Sequence, residues 1–202
     1  EFTNICLKMV KPMASRLVYI QADEILEKNT RHKFAEWHGG FVELTKYVLF
    51  WNSFHRIISF HNNAHRSRST EWHSIKFLPA DSKAVSIGDG LSFEIYDQPC
   101  VKWDDEVFHY GWNFPVNILQ KHINHMHLYS ENSRYKKRGK KAIALLNKEN
   151  FSRSTLDLLD PEYIKIARPF SGFHPECMQH LIDKPFYDPY LGLSLLQNPN
   201  NW

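Results

Sequence analysis

The stretch 17-LVYIQADEIL-26 decides how the chain is read. Leu17 to Ile20 are branched or aromatic, the side chains that pack well on a pleated surface, and they predict a short buried strand. That strand runs straight into Gln21, Ala22, Asp23 and Glu24. Two adjacent carboxylates at the end of a buried strand are costly to desolvate unless a cation or a set of donors meets them. A short helix beginning near Ile25 is expected next, which would set the carboxylates at the C-terminal edge of a sheet, where open α/β folds bind ligands. Two readings stay open. Asp23 and Glu24 cap that helix and meet its dipole, or they hold a hard divalent cation through oxygen ligands.

Bulk properties narrow the classes. A chain of 202 residues with 43% hydrophobic content can bury one good core, so a single domain with an appendage is expected. The formal charge of +3 permits anionic ligands but is well short of the basic excess of a dedicated nucleic-acid binder, and no nucleic acid is expected as partner. Six Trp and 14% aromatics suit a cleft-bearing protein better than a disordered one. Cys6, Cys100 and Cys177 are odd in number and form no CxxC pair, which points to a reducing, cytoplasmic setting. No run is long and apolar enough to span a bilayer.

Working outward, residues 3–14 read as a helix ending near Pro12. The segments 41-FVELTKYVLFW-51, 54-FHRIISF-60 and 72-WHSIKFL-78 read as strands, followed by a glycine-rich turn in 87-IGDGLSF-93 and a strand ending 107-VFHYGW-112. Pro115 opens the clearest helix, with Val116, Leu119, Ile123 and Met126 on one apolar stripe. Its continuation carries 134-RYKKRGKK-141, six basic residues in eight. Prolines at 161, 169, 175, 185, 189 and 199 break the tail into short pieces. The division expected is a core over 1–131 and a basic segment with a C-terminal wrap over 132–202.

Two further motifs carry chemistry. In His109-Tyr110-Gly111-Trp112 the glycine lets a strand end turn close to a ligand, and His109 is either a metal ligand or a hydrogen-bonded structural residue. In Gly88-Asp89-Gly90 a turn presents a carboxylate, unless Asp89 bonds its own backbone.

The order of these motifs, a strand ending in QADE, then FWNSFHRI, EWHSIKFL, GDGLSF and VFHYGW followed by a proline-initiated helix, resembles the later portion of bacterial family 2-like glycosyltransferases of the GT-A type. The likeness covers roughly residues 3 to 130, and 173-FHPECM-178 is similar to the family's C-terminal HP segment. It implies a Rossmann-like mixed sheet flanked by helices, a partial domain with an irregular helical tail, because the family carries nucleotide-binding strands upstream of QADE and only about twenty residues precede it here.

The resemblance also implies roles. Asp23 matches the last aspartate of a DxD-type motif that holds Mn²⁺ or Mg²⁺ against the diphosphate of a nucleotide sugar, and Gln21 stands at its first position. His109 becomes a further metal or diphosphate contact. Asp89 becomes the base at a hydroxyl of the saccharide or glycan acceptor, in an inverting transfer. Gln21, Asp23, Trp112 and Lys121 become contacts of the nucleotide-diphosphate sugar donor, with Trp51 or Trp112 as an apolar wall. Asp23, Asp89 and His109 are then expected to converge on one cleft. The chain departs from the family pattern before the GD turn, with Ser74 and Lys76 where an acidic residue and an arginine are common.

Two other functions are kept beside the transferase. His122, His125 and His127 invite a metal-dependent His/Asp hydrolase, but their i, i+3, i+5 spacing fans the rings apart and a solvated helix face is expected. The basic run 134–141 suits a binder of RNA or anionic lipid, or a peripheral membrane contact of the transferase.

Overall fold

A computed structural model of the chain describes residues 2–51, 56–61, 74–87, 92–95, 98–113, 115–146 and 156–182. Helix α1 (Phe2–Val10) passes into a 3-10 turn (Lys11–Met13), then β1 (Arg16–Val18), β2 (Glu24–Leu26), α2 (Lys28–Glu36), β3 (Phe41–Trp51) and β4 (Arg56–His61). Next come β5 (Ser74–Pro79), β6 (Val85–Ile87), β7 (Ser92–Glu94), β8 (Cys100–Trp112), α3 (Pro115–Leu128) and α4 (Ser133–Leu146). Helix α5 (Pro161–Ile164), β9 (Arg168–Pro169) and α6 (Glu176–Ile182) complete the described chain. The protein is mixed α/β, as its alternating periodicities predict, with helices beside the strands of its sheet.

Two compact units interleave along the sequence: 1–48 with 59–108, and 49–58 with 109–202. In the first, β5 lies between β1 and β3 and is antiparallel to both, β8 pairs β3 and β2, and β6 and β7 form an antiparallel hairpin. The β3–β5 register runs Val42↔Phe77 and then Glu43↔Ile75, so Lys76 is an extra residue at a bulge. Leu7, Phe41, Ile75, Leu78, Ala84 and Phe93 form the core here, and Phe34 of α2 stacks on Phe77 with ring centroids 4.0 Å apart. In the second unit β4 pairs β9, and α3 packs on α4. Gly139 makes that packing possible, since a Cβ there would lie 2.3 Å from the Cβ of Met126.

Four expectations need correction. The residues after QADE form β2 before any helix, because Glu24 and Leu26 are both buried on alternate positions of an extended segment. Helix α2 starts only at Lys28, and its N-cap is Glu27, which makes no side-chain capping bond, so neither Asp23 nor Glu24 is the cap of that helix. The basic run is a separate helix, because Tyr129 to Asn132 break the chain and the Asn132 side chain accepts a hydrogen bond from the Arg134 N–H at 3.0 Å. In α3 the buried stripe includes His122 with Ile118 and Leu119. The expected strands over 41–51 and 107–112, the helix from Pro115 and, over 156–182, the short pieces of the tail agree with the structure, while Pro185, Pro189 and Pro199 lie outside the described residues.

Candidate functional site

The cation that meets the carboxylate pair is a lysine. Gln21 to Glu24 form a tight turn in which the Glu24 N–H donates to the Gln21 carbonyl at 3.0 Å, while Glu24 Oε2 accepts the Gln21 N–H at 2.9 Å. The same oxygen accepts from Lys76 Nζ at 2.5 Å, and the two side chains are 0% and 4% exposed. The ring of Tyr19 lies 5.5 Å from the ammonium, and the Tyr19 N–H donates to the Lys76 carbonyl at 2.7 Å. Lys76 reaches Glu24 because the bulge inserts it between residues that pair with β3. Burial holds its ammonium below the ordinary lysine value, against an opposing pull from Glu24 and then Asp23. Glu24 Oε1 is buried with no hydrogen-bond partner among the described residues, so the pair is not fully satisfied.

The turn thus divides its two carboxylates. Glu24 is a structural brace, and Asp23 and Gln21 stay partly exposed. Among the described residues no group of three or more His, Cys, Asp or Glu side chains is placed to hold a metal ion. A hard divalent ion is commonly held by one or two carboxylates plus ligand phosphates. The turn fits only that shared mode, with Asp23, partly exposed and within electrostatic reach of Lys76, as the carboxylate it would use.

A cleft of about 710 Å³ opens at the other end of β1, beside Lys11, Arg16, His38, Gly40, Asp81 and Gln98. Its two strong cations are already engaged. Lys11 Nζ donates to the Ser82 carbonyl at 2.6 Å, and Arg16 donates to the carbonyls of Phe34, Ala35 and Trp37, closing the C-terminus of α2.

In the second unit the HYGW strand end meets the HP segment. The Tyr110 hydroxyl and His174 Nδ1 share a hydrogen bond of 3.0 Å, and Phe50 stacks on both rings at 4.5 and 4.8 Å. Burial, with a lesser push from Cys177, raises the Tyr110 phenol above its usual range. His109 is buried, and its Nδ1 accepts the Gly111 N–H at 3.3 Å. Trp51 is fully enclosed, with Trp112 on its face at 5.4 Å and Tyr163 at its edge at 5.1 Å. Trp112 also carries Lys121 Nζ 5.2 Å from its ring centroid. Trp51 is therefore core, and Trp112 and Lys121 are the donor-contact candidates that the fold brings together.

Sequence reasoning misjudged the histidines. His122 is 1% exposed, with Nε2 2.8 Å from Asp160 Oδ2, an ion-pair distance without hydrogen-bond alignment. Asp160 is also bound by Arg138. His125 packs against Trp112, Tyr129 and Tyr135, and His127 is exposed. His122 and His125 both pack against the Trp112 ring, and of the three only His127 lies on a solvated face.

Gln21 and Asp23 belong to the first unit; His109, Trp112 and Lys121 belong to the second; Asp89 lies outside the described residues. Sequence reasoning names Lys76 only as a departure from the family pattern and misses its pairing with Glu24. Its signal was a lone cation in the apolar run 75-IKFL-78, which must find a buried partner if the strand is covered on both faces. Comparisons with protein-family models, curated proteins and solved structures gave no match to this chain.

Proposed function

We propose that the protein is a glycosyltransferase of GT-A type that moves a sugar from a nucleotide-diphosphate sugar to a hydroxyl of a saccharide or glycan acceptor. The order of the QADE, GD, HYGW and HP motifs suggests the class. The observation that carries the reading is the braced turn. Glu24 bonds both Lys76 and the Gln21 N–H, closing the turn from Gln21 to Glu24, and Asp23 is partly exposed at the strand end.

In this reading Asp23, with phosphate oxygens of the donor, would hold Mn²⁺ or Mg²⁺. Such an ion offsets charge on a departing nucleoside diphosphate. The protein's own part is positional. Glu24, bonded to Lys76 and to the Gln21 N–H, closes the turn that carries Asp23, and the Gln21 amide offers neutral donors and acceptors to a phosphate or ribose hydroxyl. Asp89 is assigned the acceptor proton.

Calorimetry with uridine and guanosine diphosphates, with Mn²⁺ or with chelator, tests the assignment. Binding is expected to weaken at least tenfold without metal, and Asp23→Asn should remove the metal-dependent gain while thermal unfolding stays unchanged. Equal affinity with and without Mn²⁺ in the parent protein, or no nucleotide binding at all, overturns it.

A further inference from the structure

We infer that the outer face of α4 is a docking surface for the headgroups of anionic phospholipids. At 100° per residue, Tyr135, Arg138, Gly139, Ala142, Leu145 and Leu146 fall on one half of the helix, and these are its buried or half-buried positions. Lys136, Lys137, Lys140 and Lys141 fall on the other half, and all four are exposed. The helix contains no acidic residue.

The cations of α4 have two fates. Arg138 turns inward to Asp160, and Arg134 is bound by Glu162. Among the described residues the four lysines have no ion pair or hydrogen bond. They stand in two rows of i, i+4 neighbours, Lys136 with Lys140 and Lys137 with Lys141, a like-charge spacing that disfavours the helix on its own. An anionic surface laid along the face would remove that repulsion. Ile143, 39% exposed, lies on the same face beside Lys136 and Lys140, and gives an apolar side chain to the interfacial layer.

The composition of the face selects lipid over nucleic acid. Both arginines, whose planar forks suit bases and bidentate phosphate contacts, are engaged within the protein. No aromatic ring points outward for bases to stack on, since Tyr135 packs against His125 and Tyr129. What remains is a plane of compact, mobile charges, matched to a diffuse layer of headgroups. No described helix is long and apolar enough to cross a membrane, so the contact is peripheral.

Flotation with vesicles of phosphatidylcholine, alone or mixed with phosphatidylserine, tests the surface without any activity readout, so its outcome is independent of the transferase reading. The protein is expected to bind the mixed vesicles only, and to be released as salt shortens the screening length. Replacing Lys136, Lys137, Lys140 and Lys141 by Gln should weaken partitioning by two to three orders of magnitude, about fivefold per lysine. The control replaces Lys8, Lys28, Lys83 and Lys165, also exposed, and should retain binding although it removes the same charge. Equal loss in the control, equal binding to pure phosphatidylcholine, or an RNA oligonucleotide bound through these lysines in place of the vesicles overturns the inference.

Discussion

Lys76 and Glu24 stand 52 positions apart in sequence, yet Nζ lies 2.5 Å from Oε2 with both side chains enclosed in the first unit. A buried pair of this kind owes little to net Coulomb gain, because each ion has lost its water. It does tie the bulge in β5 to the turn after β1, since Lys76 comes from the one and Glu24 from the other.

Removing one partner should therefore cost more than removing both. Glu24→Leu leaves an uncompensated ammonium and is expected to destabilise by about 3 to 5 kcal/mol, whereas Glu24→Leu with Lys76→Met should recover most of that loss. Urea unfolding of the two single variants and the double variant measures the coupling. Additive losses would show that the two groups do not act as a pair.

The same lysine gives a pH dependence with a definite sign. Burial places its folded pKa below the ordinary 10.5, so between the two values the unfolded chain binds more protons. Stability from this group must rise with pH across that window and stay level below it. The difference in urea midpoint between the parent and the Glu24→Leu, Lys76→Met variant is expected to grow as pH approaches 10.5. A difference that falls over that range contradicts the assigned direction.

Gly139 tests the α3–α4 packing. In an open helix Gly→Ala stabilises by about 1 kcal/mol. Here the added Cβ would meet Met126 at 2.3 Å, so Gly139→Ala should destabilise by about 1 to 3 kcal/mol, and Met126→Ala in the same chain should relieve part of the strain. A raised melting temperature for Gly139→Ala would mean that the helices are further apart.

Tyr110 is a spectroscopic marker for the junction of the HYGW and HP segments. With its phenol pushed up by burial, it should not contribute to the tyrosinate absorbance that grows near the ordinary pKa of about 10. Tyr110→Phe is expected to leave the amplitude of that step unchanged. Loss of amplitude from the step would place the hydroxyl in water.

Much of the fold could be read from local pattern. The eleven residues of β3, the HYGW strand end and the helix opened by Pro115 carry their periodicity and punctuation within a short window. Residues 24–26 could not be read this way. The run EIL is compatible with a helical turn or an extended strand, and its pairing with β8 decided the matter. His122 shows a different limit. Its helix face was legible, but its burial depended on Asp160, thirty-eight positions away in sequence and brought in at the start of α5.

The candidate site divides in the same way. That two carboxylates at a strand end need a cation or a set of donors follows from desolvation alone, and the QADE stretch carries that requirement in the sequence. Which cation meets them depends on a one-residue shift between β3 and β5, which turns Lys76 toward Glu24. Hydrophobic period and turn chemistry act over a few residues and are written along the chain. Charge pairing in a core acts through space, and its partners were named only when register and packing had brought distant segments together.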